Sequence, residues 1–139
     1  MKRRKAEKSL PAGLQDNPEK EVTTLRGALA GIASESWRFS HAMEKALQRM
    51  DAMDAERFAR QYSYFSTRVS RAMADAGLTS LDLTGQPYDI GMAVQPMNID
   101  EFDEDEPLVI TQMIEPVILC GGRVMKTGMV MLGRAPEVY

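Results

Sequence analysis

The sequence predicts an α+β chain: an N-terminal helical dimerisation module (coiled coil or four-helix bundle in the dimer) followed by a small all-β domain. Three observations carry that expectation. Apolar residues recur in alternating steps of three and four from Val22 to Met53, the spacing of one helix face in a heptad register. Between residues 85 and 132 the pattern changes to short apolar runs punctuated by Pro and Gly-Gly, which reads as a compact antiparallel β unit. Between them stands Ala76-Gly77, a helix end in which Gly takes the left-handed position.

The bounds of the whole chain agree. Its 139 residues suffice for one modest domain, or for a helical module with a small β domain. A formal charge of -3 argues against general nucleic-acid binding by the folded part. Cys120 is the single cysteine, so no intramolecular disulfide forms, in keeping with a reducing compartment. No apolar run approaches the roughly 20 residues that span a bilayer, and no signal-peptide core follows the basic start. A cytoplasmic protein without a membrane partner is expected.

Taken in order, residues 1–17 read as a flexible basic tail carrying Lys2, Arg3, Arg4, Lys5 and Lys8 and broken by Pro11-Ala12-Gly13. The helical module is expected over 18–80. Asn17 caps the free N–H groups and Pro18 loses no hydrogen bond at the first helical position. Glu19 and Glu21 complement the helix dipole. The seam then runs through Val22, Leu25, Leu29, Ile32, Ser36, Phe39, Met43, Ala46, Met50 and Met53. A second seam, Phe58, Tyr62, Phe65, Val69 and Ala72, is out of step with the first. The residues leave two readings open: one helix with a stutter near Asp54, or a hairpin turning at Asp51-Ala52-Met53 with Asp54 as the second cap. In either case one chain has little to cover the apolar face, and pairing of two copies through Leu25, Leu29, Ile32, Phe39, Met43, Ala46 and Met50 is expected. Residues 79–84 read as a connector.

The β domain is expected over 84–135, with strands at 88–95, 108–114, 117–120, 123–127 and 129–132. Gly121-Gly122 supplies a hairpin turn, and Gly128 breaks or bulges the last pair.

Catalytic chemistry finds little purchase. The acidic stretch Asp100, Glu101, Asp103, Glu104, Asp105, Glu106 lacks the Gly and the following helix of a calcium loop, and reads as a solvated loop. His41 and Cys120 are each alone, which does not make a His/Cys metal cluster. No phosphate-binding or dinucleotide fingerprint is present. A binding protein without cofactor or metal is expected, not an enzyme.

The order of parts, together with particular residues, resembles the GrpE family of nucleotide exchange factors for Hsp70 (DnaK-type) chaperones. Ala76-Gly77-Leu78, then Gly85-Gln86-Pro87-Tyr88-Asp89 and Ala93-Val94, resemble the family's G-(V/L) … G-x-P-F-D-P … H-E-A-V segment. Leu119, Gly122-Arg123-Val124-Met125-Lys126 and Met129-Val130-Met131-Leu132 resemble its closing L-x-x-R-V-(L/I)-R-P-A-x-V-x-V. Met43-Glu44-Lys45-Ala46-Leu47 is similar to the end of its first bundle helix. Ile90 stands where the family has Pro, the His-Glu pair is missing, and the helix is short for the family's stalk; the likeness, over residues 20–133, is to a divergent, short-stalk member. It implies a helical hairpin with helices near 18–50 and 54–76, a four-helix bundle in the homodimer, and a co-chaperone that binds an Hsp70 ATPase domain and promotes ADP release. It also implies partner contacts at Tyr88, Ile90, Met113, Arg123 and Leu132. The alternative from another class is a dimeric structural adaptor that docks a partner through the β domain without exchange activity.

Overall fold

The computed structural model describes residues 17–136; the basic tail expected over 1–17 lies almost wholly outside them. Helix α1 spans Pro18–Leu47. It starts where the capping residues place it: Asn17 is extended, and its side-chain oxygen accepts from the Glu19 N–H at 2.8 Å. Its 30 residues make it about 45 Å long at 1.5 Å per residue.

The chain then turns. Arg49 N–H donates to the Ala46 carbonyl and Met50 N–H to that of Leu47, a tightened last turn after which Asp51 opens helix α2, Ala52–Asp75. The two helices fold back on each other, with the rings of Phe39 and Phe65 edge to face at 5.6 Å. The second cap is Asp51, not Asp54. Asp51 is extended and accepts from the Asp54 N–H at 2.9 Å, while Asp54 lies inside the helix and pairs with Arg57. That bond from the Asp54 N–H holds the Asp51 carboxyl below the usual aspartate range. Because its folded value is depressed, the cap contributes fully above the ordinary range and is lost as pH falls through the folded value.

Gly77, at φ 76°, ends α2 in the left-handed conformation expected of it. The next residues are not a connector. They form strand β1, Leu78–Leu81, which pairs antiparallel with strand β4, Val117–Cys120, in the register Leu78↔Cys120 to Leu81↔Val117. The β unit therefore begins at Leu78, ahead of the expected 84. The remaining strands are β2 (Val94–Pro96), β3 (Leu108–Glu115), β5 (Arg123–Lys126) and β6 (Gly128–Arg134). A short 3-10 turn at Ile99–Glu101 precedes β3.

These strands make two three-stranded sheets, β1-β4-β5 and β2-β6-β3. The second is mixed rather than antiparallel, because β2 runs parallel to β6. The expected strand over 88–95 shrinks to Val94–Pro96, since residues 85–88 turn to meet the other edge of the sheet. Gly85 and Tyr88 N–H donate to the carbonyls of Ile110 and Leu108.

One long hairpin links the sheets. Residues 108–120 run out and 123–134 return, turning at Gly121 and Gly122 with φ of 58° and 81°, the paired positive values a two-residue turn requires. Midway, both arms change sheet: β3 gives way to β4 at buried Pro116, and β5 to β6 at Thr127. At this crossing Gly128 is packed so closely that a Cβ would lie 2.9 Å from the Glu115 carbonyl oxygen. Close approach, not turning, is why glycine stands there. Lys126 braces the crossing with an ion pair to Glu115 at 2.8 Å.

Two core clusters result. Leu108, Ile110, Met113, Val117, Val130 and Leu132 fill one, with Trp37 of α1 packed against it. Ala30 and Ala33 of α1 join Leu78 and Ile118 in the other. Small residues at 30, 33 and 34 let the helix backbone lie close to the strands. The Ser34 hydroxyl is fully buried there and has no hydrogen-bond partner among the described residues.

Two substitutions should move stability in opposite directions. Ser34→Ala removes an unsatisfied buried hydroxyl and improves helix propensity, so it should stabilise by about 1 kcal/mol. Gly128→Ala forces a Cβ against backbone and should cost about 1–3 kcal/mol. Urea unfolding of both variants against the parent checks the pair; equal midpoints for all three proteins would contradict the packing described at both positions.

Candidate functional site

The side chains expected to act together fall into three groups. The first lies along α1, with Met50 in the turn that follows it. Leu25, Leu29, Ile32 and Phe39 are exposed, Ile32 by 62%, while Met43, Ala46 and Met50 are half-buried. At about 100° per residue, this stripe is centred roughly 125° round the helix from the face that carries Ala30, Ala33 and Trp37. The helix thus packs on the β unit with small residues and Trp37, and leaves its larger aliphatic side chains open. Phe58, Tyr64 and Phe65 of α2 are exposed as well. Met53, counted at the end of the first seam, belongs to α2 and is the most exposed of the helical apolar residues. Ala28, Gly31, Ile32, Phe39, Phe65 and Lys126 are among the residues lining an open apolar groove of about 540 Å³.

The second group comprises Met113 and Leu132, at 5% and 4% exposure. Both belong to the main core cluster, and neither presents a surface to another molecule. Neither is open to a partner as the resemblance implied: Leu132 follows the alternation of Gly128 and Val130 in β6, and the register shift between Ile110 and Gln112 breaks the alternation of β3 and turns Met113 to the same buried face as Ile110.

The third group is at the surface. Arg123 is exposed directly after the glycine turn, where it makes no ion pair among the described residues. Ile90 is 90% exposed on a turn, and Tyr88 is half-buried against the core. Of the five expected partner contacts, Arg123 and Ile90 are open and Tyr88 is partly so.

Trp37 and Asn98, which carry no signal in the sequence, and His41, read there only as a lone histidine, help position these groups. Trp37 docks α1 on the main core, and His41 stacks on it at 3.7 Å between ring centroids. The His41 Nε2 lies 4.0 Å from an Asp82 carboxylate oxygen, so the lone histidine links α1 to the segment after β1. Asn98 imitates a strand residue: its side-chain amide donates to the Leu132 carbonyl at 3.0 Å, and its oxygen accepts from the Leu132 N–H at 2.9 Å. The acidic stretch is held by its own chain. Glu106 pairs with Arg134 and accepts from the Asp103 N–H.

Among the described residues, no three His, Cys, Asp or Glu side chains are grouped to hold a metal ion, and no helix is long and apolar enough to cross a membrane. No family model, curated protein or solved structure matches the chain.

Core and surface roles separate under mutation. Met113→Ala should cost about 2–5 kcal/mol by leaving a cavity, whereas Ile90→Ala should stay within about 0.5 kcal/mol of the parent. Thermal unfolding measures both. A large loss at Ile90 with none at Met113 would invert the assignment.

Proposed function

We propose that the protein is a co-chaperone that accelerates ADP release from an Hsp70-type ATPase, acting as a homodimer joined through the helices. The observation that carries the reading is the division of labour on α1. One face is committed to the β unit, and the separate apolar stripe, which a single chain leaves open at Leu25, Leu29, Ile32 and Phe39, suits a second copy. The resemblance to GrpE proteins, with Arg123 exposed at the tip of the glycine hairpin, supplies the partner. A guanidinium there can make several charge-assisted bonds across an interface.

No catalytic group is needed. An exchange factor that binds the open, nucleotide-free state of its partner better than the closed ADP state shifts the equilibrium by that difference alone. In this reading the β unit bears on the lobe that swings outward, with Arg123 and Ile90 as its surface contacts and Tyr88 supporting them.

A second reading is a dimeric adaptor that docks a partner through the β unit without altering nucleotide exchange. The burial of Met113 and Leu132 favours it, because it removes two of the five contacts that the resemblance implied.

Two measurements test these readings. Stopped-flow release of a fluorescent ADP analogue from the Hsp70 of the same cell should speed up in the presence of micromolar protein. Folded Arg123→Ala should lose about tenfold or more of that effect. Binding without acceleration selects the adaptor. Separately, sedimentation equilibrium should give a dimer for the parent, and Leu29→Glu/Ile32→Glu, which puts charge on an exposed stripe, should give a folded monomer. A parent that stays monomeric at tens of micromolar concentration would remove the dimer from both readings.

A further inference from the structure

We propose that the cleft between the N-terminal part of α1 and the β4–β5 hairpin is a carboxylate-binding site, in which Arg26 and Arg123 act together on an acidic segment of a partner protein. The cleft is open, has a volume of about 270 Å³ and is lined by Thr23, Arg26, Cys120, Arg123, Val124 and Met125. Its two cations come from parts of the chain far apart in sequence, one from the long helix and one from the tip of the hairpin. Neither meets a carboxylate among the described residues. Arg38, Arg57 and Arg134 are paired with Glu35, Asp54 and Glu106. Arg49, Arg60 and Arg71 are unpaired too among the described residues, and what sets Arg26 and Arg123 apart is that both line one cleft.

Two guanidinium groups facing one cleft repel each other, and an anion placed between them removes that repulsion while accepting bonds from both. The guanidinium fork matches the two oxygens of a carboxylate. The Thr23 hydroxyl is already committed, donating to the Glu19 carbonyl at 2.9 Å, which leaves the arginines as the main donors. Val124 and Met125 give the cleft an apolar wall, which suits the methylene stem of a glutamate better than a bare inorganic anion. A protein segment rich in Asp or Glu is therefore the occupant with matching charge and shape. The site adds a helix residue to the surface assigned to Arg123, and rests on the exchange reading only for the identity of the partner.

The test uses the full chain, with hexaglutamate peptide as probe and the arginine Nε–H resonances as readout. Both Arg26 and Arg123 resonances should shift along one common binding curve, while that of Arg60 on α2 stays still. Arg26→Ala and Arg123→Ala, each confirmed folded by circular dichroism, should each weaken uptake about tenfold, and the double variant should lose little more than either single. Resonances that do not move, or that move no more than Arg60, overturn the site. Equal shifts with inorganic phosphate at matched ionic strength overturn the assignment to an acidic segment. So does concentration-dependent shifting without peptide, which would place the acidic loop of a second copy in the cleft. ADP release is read separately: protein that takes up hexaglutamate at both arginines but leaves release unchanged overturns the exchange reading and upholds the cleft.

Discussion

The packing of Gly128 on the Glu115 carbonyl is the constraint on which the β unit depends. A long hairpin built as one flat ribbon would expose one of its faces to water. Letting both arms change sheet at the same level, at Pro116 on one and Thr127 on the other, folds that ribbon into two short sheets with separate core clusters. The crossing works only if the two backbones come within contact distance, which needs the missing Cβ at 128. Lys126 and Glu115 then close the same corner electrostatically, at a half-buried position where the pair is less screened by water.

From that corner the role of α1 follows. The two clusters lie under different parts of one helix: Ala30 and Ala33 reach the first sheet, and Trp37 reaches the second. Because contact with the first sheet is made by small side chains, Leu25, Leu29 and Ile32 stay open, while further along Phe39 turns partly toward α2 and Met43 is half-buried. Burial of such open side chains is favourable by about 25 cal/mol per Å² of apolar area removed from water. The helix that organises the fold thus also carries an open apolar stripe.

Much of this was legible in the residues. The Asn17-Pro18 start, the Gly77 stop and the Gly121-Gly122 turn each rest on a local backbone requirement, and local requirements survive in any context. The break between helices was not legible locally, because no Gly or Pro marks residues 48–51. It shows only in the out-of-step seams and in Asp51, which caps by geometry that Asp54 could equally have offered. Strand β1 stayed hidden because Leu78, Thr79, Ser80 and Leu81 carry too little pattern; pairing with β4 makes it a strand. The candidate site suffered from the same limit. Exposure of Arg123 follows from a turn and could be anticipated. Burial of Met113 and Leu132 depends on which face of a sheet is covered, and alternation alone does not say. Arg26 carried no signal at all, since only the tertiary fold brings it beside the hairpin.

The bridging course of α1 also has a mechanical meaning. Two sheets joined by a single pair of strands would hinge at the crossing, and each could tilt independently. A rigid helix fastened to both acts as a splint, so that any tilt must either bend the helix or unseat Trp37. The bond from the Gly121 N–H to the Gly77 carbonyl adds a second rivet, tying the hairpin tip to the end of α2. The β unit therefore behaves as one plate rather than two flaps.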